Sequence, residues 1–217
     1  MTTAIFWFRQ DLRLSDNPAF LKACEEHETL LPIYIDDSAE FPIKLGEASR
    51  AWLHHSLTSL QKDLQRQGSD LVIYKGPAGH TIEGICKSLD IDSVLWNRCY
   101  EPQAIARDTA IKASLKDLGI TAISDNASLF YEPWKILKGD QTPYRVFTPY
   151  WKAVAKQGLN KPPCSTPQKI PPVPLGAKPN LSVTELDLLP SKPWAESLLS
   201  YWDIGETAAQ AKLKAFI

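Results

Sequence analysis

Five short apolar runs, spaced by stretches of helical periodicity, set the plan of the chain. Ile5-Phe6-Trp7-Phe8 is apolar at every position and reads as a strand buried on both faces. Leu30 to Ile35, Leu71 to Tyr74, Ser93 to Trp96 and Ile120 to Ser124 read as four more strands. Between them the pattern changes to a helical period. Pro18 to His27 predicts a helix, with Asn17 as its cap and proline in the first turn. Leu53, Leu57, Leu60 and Leu64 place a long helix over Glu47 to Gln67, ended by Gly68. Thr81 to Leu89 predicts a third helix. A fourth runs from Pro102 to Leu118, with Ala104, Asp108, Ile111, Leu115 and Leu118 on one face and Gly119 at its end.

Strands alternating with helices across short connections predict an α/β fold: a doubly wound, five-stranded parallel sheet with helices on both faces. The expected strand order is 3-2-1-4-5, which sets the first and fourth strands side by side; periodicity alone does not fix it. In that order the loops 9–16 and 97–102 flank the switch point, where ligands bind in open parallel sheets. Residues 126–152 read as irregular structure ending in the aromatic segment Tyr144 to Lys152. From Lys161 to Pro193 lie nine of the 17 prolines, which predicts an extended connector. Glu206 to Phe216 reads as a helix too short to be stable alone in water. A long connector leading to one such helix implies a natural protein that continues further. The expected organisation is an α/β domain over 1–130, a proline-rich interdomain connector over 131–195 and the opening of a helical domain over 196–217.

Composition narrows the function classes. Of 217 residues 44% are hydrophobic and 23% charged, ordinary globular content. The net charge of −1 gives no global basic field for nucleic acid, although a local patch stays open. Cys24, Cys86, Cys99 and Cys164 are widely spaced and read as reduced thiols of a cytoplasmic protein. No signal peptide or membrane span is legible. Seven tryptophans point to large packed surfaces or an aromatic ligand. His54 and His55 are adjacent, so on a helix they diverge and do not chelate together; no metal site is expected. There is no Gly-x-Gly-x-x-Gly or Walker motif and no readable Ser/His/Asp set, so no catalytic residue is assigned.

The segment Trp7-Phe8-Arg9-Gln10-Asp11-Leu12-Arg13-Leu14, followed by Asp16-Asn17-Pro18, resembles the N-terminal signature of the DNA photolyase/cryptochrome family. Further segments fit in family order: Gly46 to Leu53 with Ala48-Ser49-Arg50, Trp96-Asn97-Arg98 with Tyr100-Glu101-Pro102, Arg107-Asp108, Tyr144 to Lys152, and Gly205-Glu206 with Ala208-Ala209 and Phe216. The resemblance spans almost the whole chain. It implies the N-terminal antenna domain of a flavoprotein that uses near-ultraviolet or blue light to split cyclobutane pyrimidine dimers in DNA. FAD would sit in the C-terminal helical domain, beyond this sequence, and donate an electron to the flipped-out lesion. A second chromophore in the N-terminal domain would pass excitation to FAD. The implied partners are UV-damaged DNA and the protein's own helical domain, with no membrane and a monomeric state; the chain by itself would not repair DNA.

The antenna chromophore implied is a folate, a deazaflavin or a flavin. The folate-binding members carry a carboxylate shortly after the Tyr-Glu pair, where this chain reads Pro102-Gln103-Ala104. The deazaflavin-binding members have an acid where Cys99 stands. An atypical folate site, a flavin antenna and an empty pocket all stay open. The candidate cofactor-binding residues are Arg9, Asp36, Arg50, Asn97, Tyr100 and Glu101. Each has a structural reading beside it. Arg9, with Asp11 and Arg13, could form an internal ion-pair network. Asp36 could be a turn-forming residue. Arg50, a cation in the first turn of a helix, works against the helix dipole and calls for a partner: Asp36, Asp37, Glu47 or a ligand. Glu101 before Pro102 suits a helix start. Asp108, on the apolar stripe, is expected to be buried and paired. Two alternatives accompany the photolyase reading: a cryptochrome-type photoreceptor, and a stand-alone α/β nucleotide-binding domain of universal-stress type.

Overall fold

A computed structural model of the protein describes residues 2–158, 162–177, 181–192 and 194–217. Five parallel strands form one sheet in the order β3-β2-β1-β4-β5: β1 (Thr3–Phe8), β2 (Thr29–Asp36), β3 (Val72–Lys75), β4 (Ser93–Asn97) and β5 (Thr121–Asp125). The order matches the expectation. In register, Trp7 pairs with Ile33 on one side and Trp96 on the other.

All six residues of β1 are buried, and their side chains alternate between two cores. Ala4, Phe6 and Phe8 face α1 (Pro18–Glu26) and α2 (Glu47–Arg66), packing with Phe20, Ala23, Leu57, Leu60 and Leu64. Ile5 and Trp7 face the other layer, α3 (Ala78–Ser88) and α4 (Pro102–Asp117), with Ile82, Ile85, Ile111 and Leu115. A strand covered on both faces must be apolar at every position, which is why β1 lacks alternation. Phe6, Phe8 and Phe20 meet edge-on or tilted, with centroids 4.6–5.2 Å apart.

Two element boundaries differ from the sequence reading. The aromatic segment expected to be irregular is helical: α5 spans Phe147–Gln157. Pro149 lies in its first turn, where a missing N–H breaks no helical bond. The third helix begins at Ala78 rather than Thr81 because Glu40, distant in sequence, accepts a hydrogen bond from the Ala78 amide at 3.0 Å. A short helix α6 (Trp194–Leu199) precedes α7 (Glu206–Phe216).

The described parts of the proline-rich segment are mostly extended, with a turn at 175–176 and a 3-10 turn at Val183–Leu186. The segment also belongs to the core. Ile170, Val183, Leu186 and Leu188 are buried against the α1/α2 face. Leu181 pairs antiparallel with Ile73, covering part of the β3 edge. Residues 159–161, 178–180 and 193, which include the expected ends of the connector, lie outside the described residues.

Candidate functional site

The loops leaving the carboxyl ends of β1 to β4 enclose a crevice of about 1400 Å³. Its walls include Trp7 and Arg9 from β1 and its loop, Asp36 to Ser38 and Phe41 after β2, and Lys75 at the end of β3. Arg50 and Trp52 of α2, Glu101 to Arg107 around the start of α4, and the first residues of α7 complete it.

One buried network organises the loop ends behind the crevice. Asp108 is 7% exposed and takes both Nη1 bonds of Arg9, at 2.9 and 2.8 Å. It also accepts from Arg107 at 3.0 Å and from Trp96 Nε1 at 3.1 Å. Arg9 further donates to the Asn97 carbonyl, and Arg107 to Asp37. The two guanidiniums lie over the Trp7 ring, 4.8 and 4.7 Å from its centroid, and Arg107 also lies 5.2 Å from that of Phe41. Next to this, Asp11 accepts from the Arg9 amide at 2.9 Å and from Asn97 Nδ2 at 2.5 Å. Asn17 caps α1 through the Phe20 amide at 3.2 Å and accepts from Asn97 at 2.6 Å.

Of the six candidate residues, Arg9, Asp36, Arg50 and Glu101 line the crevice. Asn97 and Tyr100 do not. Asn97 is 3% exposed, and its Nδ2 is engaged by Asp11 and Asn17. Tyr100 turns to the segment after β5, where its hydroxyl has two acceptors within reach of its one hydrogen, Asn126 Oδ1 at 3.1 Å and Glu132 Oε1 at 3.0 Å, and its ring lies 6.1 Å from Trp134. Asp36 accepts from the Ser38 amide at 3.2 Å, so the turn role and the crevice position coexist. Arg50 bonds to none of the three carboxylates expected; its partner is the Asp187 carbonyl, a residue of the proline-rich segment in left-handed conformation. Arg13 bridges the Asp16 and Ala127 carbonyls, a structural role.

The site residues that sequence reading did not single out include Phe41, Trp52, Lys75 and, for the crevice, Arg107. Arg107 carried a signal as part of the Arg107-Asp108 pair, and Trp52 lies within the Gly46 to Leu53 segment; Phe41 and Lys75 come from a loop and a strand end that join them only in the folded sheet.

Electrostatics inside the crevice are mixed. Burial raises the Asp37 carboxyl above the usual carboxylate range, although Arg107 beside it pulls the other way. Glu101 is held below its usual range by hydrogen bonds from its own amide and from Gln10. Burial pushes the Cys99 thiol up to about 11, so it is neutral and unreactive at physiological pH. Trp7 Nε1 and Arg9 Nε, on residues that line the crevice, are buried donors without a partner among the described residues. Among the described residues no group of three or more His, Cys, Asp or Glu could hold a metal ion, and no helix is long and apolar enough to cross a membrane.

Residues 4–171 match the protein family described as DNA photolyase. The chain is 38% identical over 216 residues to the deoxyribodipyrimidine photo-lyase of Agrobacterium fabrum, covering 98% of this chain and 44% of that protein. It is 32% identical over 224 residues to cryptochrome-2 of Arabidopsis thaliana, covering 98% of this chain and 36% of that protein. The crystal structure of a bacterial class III photolyase from Agrobacterium tumefaciens superposes with a TM-score of 0.92 at 36% identity, over 100% of this chain and 44% of that one. This chain therefore spans less than half the length of these relatives.

Proposed function

Because the chain belongs to the DNA photolyase family, we propose that it is the light-harvesting N-terminal part of a deoxyribodipyrimidine photo-lyase, whose full-length form repairs cyclobutane pyrimidine dimers in UV-damaged DNA. The observation that carries the reading is the crevice at the switch point between β1 and β4, lined by both aromatic rings and charged groups. The domain plan belongs to the same proposal: an antenna domain over 1–130, a connector over 131–195, and the opening of the FAD-binding helical domain over 196–217. The chain alone lacks the catalytic domain and is expected to be inactive in repair.

The residues present fit a polycyclic heteroaromatic chromophore. Tyr34, Phe41 and Trp52 supply ring surfaces. Asp36 and Glu101 supply acceptors for ring N–H groups, and Arg50, Lys44 and Lys75 supply cations for an anionic arm. Arg9 shapes the site from below, its charge already matched by Asp108. A folate, a deazaflavin or a flavin each satisfies this donor set. Bound there, such a group supplies near-ultraviolet or blue absorption and excitation energy for FAD. The chain's own part is to hold the ring, orient it through the polar groups and keep water from its face. Asn97 and Tyr100 act from behind, by fixing the loop that carries Glu101.

Reduced full-length protein, illuminated with blue light in the presence of a dimer-containing oligonucleotide, should restore intact thymines. Absence of repair would favour the second reading, a cryptochrome-type photoreceptor, which the likeness to cryptochrome-2 supports at lower identity. The proposal extends to a monomeric protein and to a cytoplasmic one, the second supported by the four free cysteines.

A further inference from the structure

Arg107 is where four separate pieces of the crevice meet. It lines the cavity from the second turn of α4. Its Nε and Nη2 donate to Asp108 at 3.2 and 3.0 Å, and its Nη1 donates to Asp37, just past β2. The guanidinium also lies over two rings, 4.7 Å from the centroid of Trp7 on β1 and 5.2 Å from that of Phe41 in the loop after β2. Its side chain is 14% exposed, so these contacts sit largely out of water, where a cation on a ring is worth most. Phe41 belongs to none of the apolar cores. Among the described residues its ring is met by the Arg107 cation alone. The loop around it is bonded mainly to itself, with Lys44 donating to the Ser38 and Ala39 carbonyls at 2.6 and 3.1 Å. Its hydrogen bond to a neighbouring helix is the one Glu40 accepts from the Ala78 amide.

We propose that Arg107 is a positioning residue of the crevice: it holds the Phe41 ring and, through Asp37, the turn after β2 where they form the aromatic surface that orients a chromophore ring. The inference rests on the reading of the crevice as a chromophore site. A ring that orients a ligand has to be held to within about 0.5 Å. Phe41 stands on a loop outside the cores, so a cation and not a core supplies that constraint. The planar fork of arginine can bond two carboxylates and stack on rings at once, which a lysine ammonium cannot. The fold does not depend on the same contacts. Without Arg107, Asp108 stays matched by Arg9. Asp37, whose carboxyl burial already raises, can take up a proton and so avoids standing as a bare charge.

The test compares the wild-type chain with Arg107→Gln, Arg107→Lys, Phe41→Leu and the double variant Arg107→Gln/Phe41→Leu. Methenyltetrahydrofolate, FMN and a deazaflavin are titrated. Affinity is read by absorbance, and orientation by the circular dichroism that the protein induces in the bound chromophore. In Arg107→Gln affinity should fall about threefold to tenfold, the scale of one cation–π contact out of water. The induced dichroism should shrink, while hydrogen exchange over β1 and β4 stays slow. Arg107→Lys, which keeps the charge without the fork, should fall between. Because Arg107 acts through Phe41, the double variant should bind within about twofold of Arg107→Gln. Arg107→Gln/Asp37→Asn, which removes both charges of the pair, should behave like Arg107→Gln. Unchanged affinity or unchanged dichroism in Arg107→Gln, or losses that add in the double variant, would overturn the positioning role alone. So would loss of β1 and β4 protection in both Arg107→Gln and Arg107→Gln/Asp37→Asn, which would assign Arg107 to the fold. Failure of all three chromophores to bind the wild-type chain would overturn the crevice reading and this inference with it.

Discussion

At the scale of single residues, Asp108 does the most. It pairs with two guanidiniums, one of them shared with Asp37, and accepts from Trp96, so truncating it leaves buried charge unmatched. Asp108→Ala should cost about 3–5 kcal/mol in urea unfolding, as for other broken buried pairs. Lys22→Ala, which removes an exposed pair with Glu26, should cost under about 1 kcal/mol. The thiols supply a second expectation. Burial raises Cys24 from an ordinary value of 9.0 to about 12, and Cys86 and Cys99 to about 11. The unfolded chain gives up these protons near pH 9 while the folded one keeps them, so the unfolded state is favoured as pH climbs through that window. The thermal midpoint should be insensitive to these groups below about pH 9 and fall above it; a midpoint that stays level through pH 11 would contradict the assigned burial. Asp108 was legible in the sequence because a carboxylate on an apolar stripe needs a partner. The partner of Arg50 was not, because a backbone carbonyl 137 positions away leaves no trace in local sequence.

Among elements, the strand-to-helix turn from β1 to α1 is the best specified by local chemistry. Asn17 is fully buried, caps α1, donates to the Arg13 carbonyl at 2.9 Å and accepts from Asn97. Asn17→Ala should destabilise by about 2 kcal/mol, the upper end for a lost cap, measured by chemical denaturation. Sheet strands and the four packed helices were readable because each is driven by its own apolar periodicity. The start of α3 was not, since its cap comes from Glu40 across the fold. The helix α5 was hidden by Pro149 and a dense aromatic run, which on local grounds favour irregular chain. The proline-rich segment read correctly as extended, but its attachment to the core by Ile170, Val183, Leu186 and Leu188 depends on a groove that exists only once the sheet and α2 are packed.

Across the whole molecule, the strand order decides the function-bearing geometry. Strands are added to one side of β1 up to β3 and to the other side from β4 on, which puts the loops after β1 and β4 together, and the crevice follows from that topology. The apolar pattern showed that β1 is covered on both faces, but it did not fix the order; the expected order 3-2-1-4-5 went beyond periodicity, and the sheet bears it out. The sequence carried the crevice lining only in part: Arg9, Asp36, Arg50 and Glu101 converge there, while Asn97 and Tyr100 support it from behind. The central claim is that this crevice holds the light-absorbing group. Equilibrium titration of the chain with methenyltetrahydrofolate, FMN and a deazaflavin, read by near-ultraviolet and visible absorbance, tests it most directly, with Ser49→Trp as an exposed crevice residue enlarged to plug the site. One-to-one binding of at least one chromophore, lost or strongly weakened in Ser49→Trp, is the predicted result; no binding of any of the three, or binding indifferent to the plug, would contradict it.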